Sequence, residues 1–177
     1  AHQKLAWHEL LINGDEDLYR NQIDKVGSVG STMLDEDKSA QKEAESGQIP
    51  NADLLKARIQ FDGGFYNEAL TTLIQAETSS SSQEESLEFT YRLARIHDKL
   101  GNQKDAISYY EMTINNGADS KRYFAANSSL MLGLLYEKTS ETDKARTAFK
   151  ACSSFNNSEY KNSIQQKAKA GILRLAD

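Results

Sequence analysis

The feature that most constrains this chain is a self-similarity with a spacing of 37 to 39 residues. Leu132-Gly133-Leu134-Leu135-Tyr136 is followed by Ala145 and, four residues on, Phe149. Leu93-Ala94-Arg95-Ile96-His97 is followed in the same way by Ala106 and Tyr110, and Ala57 by Ala69 and Leu73. Ala57 to Ala94 and Ala69 to Ala106 are each 37 residues, Ala94 to Gly133 and Ala106 to Ala145 each 39, and Gly133 to Gly171 is 38. Small and aromatic positions move together, so the period belongs to a supersecondary unit. Such a unit cannot bury its apolar face alone, and it is stabilised by stacking on its neighbours.

Each unit reads as two helices around a tight turn. In the middle unit Leu87, Tyr91, Ala94 and Leu100 recur at helical spacing, Gly101-Asn102 interrupts, and Ala106, Ile107, Tyr110 and Ile114 resume. Gly can take a positive φ after a last helical turn, which marks Gly101 as the stop. Gly63-Gly64 and Thr139-Ser140 are the corresponding turns. Ser82-Gln83-Glu84-Glu85 is a capping box with Ser82 as N-cap. Pro50 suits the start of the helix holding Leu54, Leu55 and Ile59. Asn115-Asn116-Gly117 closes one helix and Asp119 or Ser120 opens the next. Asn156-Asn157-Ser158 precedes a final helix that ends near Leu175. One Pro and ten Gly in 177 residues suit long helices and argue against an all-β fold.

Leu132-Gly133-x2-Tyr136 followed by Ala145-x3-Phe149 resembles the tetratricopeptide repeat family. The middle unit matches through Leu93-Ala94, Ala106 and Tyr110, with His97 in place of an aromatic. The first unit departs at Lys56 and Gln60, and Asp53, Thr90 and Ser129 stand where the family has Trp. The units exceed the family's 34 residues, and the excess is expected in the loops Thr78–Ser82 and Asn115–Ser120. The resemblance implies an all-α, right-handed superhelical array of helix-turn-helix repeats closed by a C-terminal capping helix. The array is expected over residues 50–177, with units at about 50–80, 83–117 and 120–156 and a terminal helix at about 158–175. Residues 1–49 read as an N-terminal helical segment, a diverged repeat plus one helix. Leu5, Trp7, Leu10 and Leu11 mark a helix ending at Asn13-Gly14. Leu18, Ile23 and Val26 mark a second, stopped near Gly27 to Gly30, and Met33, Ala40 and Ala44 a third.

Composition and motif chemistry exclude most other functions. The net charge of −5 disfavours nucleic acid or anionic membranes as general partners. No apolar run is long enough to span a bilayer, so no membrane insertion is expected and the chain reads as soluble. It begins Ala1-His2-Gln3 without Met, which reads as a processed product or a piece of something longer. The compartment is therefore open between the cytoplasm and an extracytoplasmic space reached by a removed signal. Cys152 is the one cysteine and reads as a buried packing residue. The three His are scattered, and His8-Glu9 has no second His four residues on, so no zinc site of ordinary spacing forms. Asn13-x-Asp15-x-Asp17 resembles the start of a calcium loop, but Leu18 stands where Gly is required, and an acidic helix start explains it better. Gly27-Ser28-Val29-Gly30 lacks the Lys of a phosphate loop. No acid–base pair or nucleophile survives, so no enzyme activity, metal or cofactor is expected.

In the resembled family, the first helix of each unit turns one face to its neighbours and lines a concave groove with another. By spacing, that second face is Asn51, Leu54, Arg58 and Phe61 in the first unit. It is Glu88, Tyr91, Arg95 and Asp98 in the second, and Asn127, Leu130, Leu134 and Glu137 in the third. Arg58 and Arg95 occupy equivalent places one repeat apart. Guanidinium forks with aromatic anchors suit a peptide carrying a carboxylate. A second reading of the same residues is internal. Arg95 would pair with Asp98 or Glu88, and Leu130 and Leu134 would pack against a neighbouring unit. The function expected is a non-catalytic protein–protein interaction module, a scaffold that takes a peptide or protein segment in the groove. The alternative is a structural domain that docks within a longer chain or self-associates into a homo-oligomer.

Overall fold

The computed structural model describes residues 1–29, 35–76, 82–155 and 159–175, and every regular element in them is helical. The chain divides into two compact units, Ala1–Lys56 and Ala57–Asp177.

In the first unit α1 (His2–His8) runs on through one π-helical turn, Glu9–Asn13, and stops at Gly14, whose φ of +64° is left-handed. Helix α2 (Glu16–Val29) follows, with the Asp15 carboxylate accepting from the Leu18 N–H at 2.8 Å. An Asp there satisfies an orphan donor and favours the positive end of the helix dipole. Helix α3 (Asp35–Ser46) completes the set; Gly30 and Met33 lie outside the described residues. Ala6, Leu10, Tyr19, Ile23 and Leu55 form the core, with Trp7, Val26 and Ala44 packed against it. Its polar centre is the Glu43 carboxylate of α3. One oxygen accepts from Trp7 Nε1 at 2.7 Å and from the Tyr19 hydroxyl at 2.9 Å, and the other from Gln3 Nε2 at 2.6 Å. Burial, and then the Glu43 charge, push the Tyr19 phenol well above its ordinary range.

Helix α4 (Ala52–Asp62) begins one residue after Asn51, whose side-chain oxygen accepts from the N–H groups of Asp53 at 3.1 Å and Leu54 at 3.2 Å. The second unit continues with α5 (Tyr66–Ala76), α6 (Gln83–Leu100), α7 (Gln103–Asn116), α8 (Phe124–Lys138), α9 (Thr142–Ala151) and α10 (Lys161–Arg174). Sequence neighbours pack as antiparallel pairs. Helix α6 lies on α7 and α8 on α9, each second helix packs on the next first helix, and α6, α8 and α10 also touch in turn. The turn signals act where they were read. Ser82 Oγ caps α6 by accepting from the Glu85 N–H at 3.1 Å, Gly64 and Gly101 are left-handed, and Ser140 takes φ +62°.

One boundary is corrected. Helix α8 starts at Phe124, not at Asp119 or Ser120. Ser120 Oγ turns back to accept from the Arg122 N–H at 3.1 Å, and the Lys121 carbonyl accepts from the Glu159 N–H at 2.9 Å. These bonds hold 120–122 out of the helix, as short hydroxyl side chains do in turns. Asn156, Asn157 and Ser158 lie outside the described residues, as do residues 78–81 of the earlier loop.

Phe149 is the centre of the second unit's core. A Cβ built on Gly133 would stand 2.5 Å from its ring, and one on Gly171 would stand 2.6 Å from it. Helices α8 and α10 therefore close on the ring from two sides because neither carries a side chain there. Arg174 fastens α10 to α8 by donating to both oxygens of Glu137, at 2.8 and 2.7 Å, and Arg146 of α9 donates to the Leu175 carbonyl at 2.8 Å.

Candidate functional site

The face read as a groove comprises α4 from Arg58 onward, α6 and α8. On α6, Glu88, Tyr91, Arg95 and Asp98 follow one another at three- and four-residue steps and so share one side. Each finds a different partner. Glu88 pairs with Arg92, its neighbour four residues on, through a 2.8 Å contact from Nε and a second from Nη2. Arg92 is buried; burial works against its charge, and the adjacent Glu88 carboxylate more than compensates, holding the guanidinium above its ordinary range. The Asp98 carboxylate accepts from the Tyr110 hydroxyl of α7 at 3.2 Å. Both acids are thus occupied with packing the array.

Arg95 pairs with neither. Its guanidinium carbon lies 4.2 Å from the Phe61 ring centroid and 5.7 Å from that of Tyr91. Flat stacking of this kind favours Arg, whose delocalised, weakly hydrated cation suits an aromatic face. Among the described residues no carboxylate stands within ion-pair distance of Arg95. Arg58 differs, since its Nε is 3.9 Å from Asp62 Oδ2, one turn further along α4.

Tyr91, Leu130 and Phe61 are buried; they support the face rather than present it. The Tyr91 hydroxyl accepts from Asn127 Nδ2 at 2.7 Å, a bond that ties α6 to α8. Leu134 is exposed, and Glu137 is taken by Arg174. Asn51 and Leu54 belong to the first unit, Asn51 as the cap of α4 and Leu54 buried. The structure therefore brings Phe61, Tyr91, Arg95 and Asn127 together in the second unit, while Arg58 pairs with Asp62 on its own helix.

Tyr123 and Phe124 were not singled out from the sequence. Tyr123 stands edge-on to Tyr91, with ring centroids 5.6 Å apart, and also edge-on to Tyr160; Phe124 packs 5.0 Å from Tyr91. Burial, then the neighbouring Tyr91, pushes the Tyr123 phenol up to about 12, against the pull of Arg92 and Arg58. An aromatic doublet beside a helix start was the available signal, and the misplaced start of α8 hid it.

Burial pushes the Cys152 thiol up to about 12, far from the thiolate that nucleophilic work needs. Among the described residues no three of His, Cys, Asp and Glu come together as a metal site, and no helix is long and apolar enough to cross a membrane.

Comparison with known proteins places the architecture. Residues 87–111 and 126–159 match the tetratricopeptide repeat family. No curated protein and no solved structure matches the chain.

Proposed function

We propose, for a chain whose residues 87–111 and 126–159 are tetratricopeptide repeats, that it is a non-catalytic binding module that holds an acidic segment of a partner protein on the α6–α8 face. Tetratricopeptide repeats are generally protein–protein interaction modules. The partner chemistry is carried by one observation. Arg95 is a half-buried cation laid on Phe61 and Tyr91, with no carboxylate opposite it among the described residues. An incoming carboxylate would meet a pre-oriented fork and displace little water, and charge-assisted bonds of this type are roughly twice as strong as neutral ones. Arg58, which pairs with Asp62 on α4, is a second guanidinium in the same unit, and exposed Leu134 offers apolar contact.

Panning a random peptide library on the immobilised chain tests this. The enriched peptides are expected to carry Asp, Glu or a free C-terminal carboxylate. Arg58→Ala with Arg95→Ala is expected to weaken their binding by about 1.5 kcal/mol or more, the scale for hydrogen bonds to charged groups, with the helical circular dichroism intact. Enrichment of peptides without acidic groups, or unchanged affinity in the double variant, would move the binding surface elsewhere on the chain.

A further inference from the structure

The Tyr91 ring belongs to a longer row. Phe61, Arg95, Tyr91, Tyr123 and Tyr160 touch in turn, from α4 across α6 to Tyr123 and Tyr160, the residues just before α8 and α10. Arg95 lies within the row. At its far end Arg122 approaches the Phe124 ring to 5.5 Å from the centroid, as Arg95 approaches that of Phe61. Burial raises the Tyr123 phenol most, and the charges of Arg92 and Arg58 act against it, so both guanidiniums stand near that ring. The row is aromatic along its length, with guanidinium groups beside it.

The far end of the row is occupied by this chain itself. Glu159 and Tyr160 lie on Lys121, Arg122 and Tyr123, and Arg122 to Glu159 and Tyr123 to Tyr160 are each one repeat of 37 residues. The Glu159 N–H donates to the Lys121 carbonyl at 2.9 Å, Arg122 Nη1 stands 3.9 Å from Glu159 Oε1, and the Tyr160 ring meets Tyr123 edge-on at 5.5 Å. One main-chain bond, one ion pair and one ring contact from two consecutive residues are the contacts of a bound peptide, in which the backbone bond gives hold and the side chains give specificity. The sequence held there is an acid followed by an aromatic. It is held against a bias, because Tyr160 has φ +55°, a left-handed conformation disfavoured for a residue with a Cβ. The Tyr160 ring is 43% exposed, and the Arg122–Glu159 pair is of the exposed kind that contributes little. A contact built this way is readily given up.

We propose that Glu159-Tyr160 is a built-in occupant of the Arg122–Tyr123 end of the binding face, and that the partner's acidic segment displaces it with an acidic residue followed by an aromatic one. The proposal rests on the reading of Arg95 as the site of a partner carboxylate. Tethering gives the internal pair a high effective concentration, so a segment that met Arg122 and Tyr123 alone would lose to it. A segment that also reaches Arg95 engages the row at two points, which the internal pair does not. The partner's apparent affinity is reduced by the fraction of molecules whose far end is open, so the internal pair sets a threshold that segments lacking the second contact do not cross.

Panning a random peptide library on the parent chain and on one carrying Glu159→Ala with Tyr160→Gly tests this. Gly takes φ +55° without strain, so the double variant loses the two side chains and keeps the path of the backbone. Its folding is followed by circular dichroism, and Glu159→Ala alone replaces it if the pair of changes unfolds the chain. Peptides enriched on the opened chain are expected to carry Asp or Glu directly before Tyr, Phe or Trp. They are expected to bind it at least about fivefold more tightly than the parent, since the internal competitor is gone, and to lose that gain when Arg122→Ala is added. Acidic peptides that bind parent and opened chain equally, that lack an aromatic beside the acid, or that keep the gain without Arg122 would overturn the proposal and leave the Arg95 reading standing. Peptides without acidic groups would overturn both.

Discussion

Phe149 leaves no room for a methyl group on either side. In a helix Ala is favoured over Gly by about 1 kcal/mol, so Gly133→Ala or Gly171→Ala would stabilise an open helix. Here the added carbon would fall within 2.6 Å of a buried ring, and something in the core must shift. Overpacking costs about 1–3 kcal/mol, so the contact outweighs the propensity. Each single substitution is expected to lower the melting temperature by a few degrees at about 2–4 °C per kcal/mol, and Gly133→Leu by more. Shrinking the ring with Phe149→Leu should remove part of the penalty, so the double variant is expected to be less damaged than the two effects summed. Strict additivity in thermal melts would show that the ring does not fill that gap.

A second group of residues sets the response to alkali. Burial raises Cys152 from 9.0 to about 12 and Tyr123 from 10.0 to about 12. In the folded state both hold protons that the unfolded chain releases earlier. Their contribution is therefore complete below about pH 9 and is lost as the pH climbs through 12. Denaturant midpoints are expected to fall across that window, and the Cys152 thiol is expected to react with a thiol reagent at pH 8 only after unfolding. Rapid labelling of the native chain would contradict its burial.

At the scale of the elements, the Glu43 carboxylate is where three helices meet, since it receives bonds from α1 and α2 while sitting on α3. Glu43→Ala would remove the Glu43 acceptor from the Trp7 ring nitrogen and from the buried Tyr19 hydroxyl, at about 1–3 kcal/mol. The first unit is expected to open at lower denaturant, followed by Trp7 fluorescence, while Glu43→Gln, which keeps one acceptor oxygen, should lose less. An unmoved midpoint in the Ala variant would remove Glu43 from that role. Nothing in the sequence distinguished Glu43 from the other charges of Asp35–Ser46, because its partners are 24 to 40 residues away. The local devices were legible. Ser82, Gly64 and Gly101 act within four residues of themselves, and their chemistry does not depend on the rest of the fold. The start of α8 was misread for the converse reason, because the bond from Glu159 to the Lys121 carbonyl comes from a distant part of the chain. The candidate face divides in the same way. Helical spacing put Arg95 on the side of Tyr91, but that Asp98 turns to Tyr110 and Glu137 to Arg174 is decided by neighbouring helices.

Across the whole molecule, charge is distributed unevenly along the chain. Residues 138–175 carry eight basic and three acidic side chains in a protein whose net charge is −5. Where each repeat contacts only its neighbours, the last helix covers an apolar face for the one before it. Deleting residues 159–177 would strip Gly171 from the Phe149 ring and Arg174 from Glu137. The shortened chain is expected to melt lower and to aggregate, as read by thermal denaturation with light scattering; an equally stable monomer would show that α10 is not part of the core. The first unit, for its part, holds the only tryptophan among 177 residues, bonded through its ring nitrogen to Glu43. That indole makes the protein its own optical gauge. Its emission responds to the hydrogen bond between α1 and α3, so a fluorimeter pointed at the untagged chain watches those two helices part.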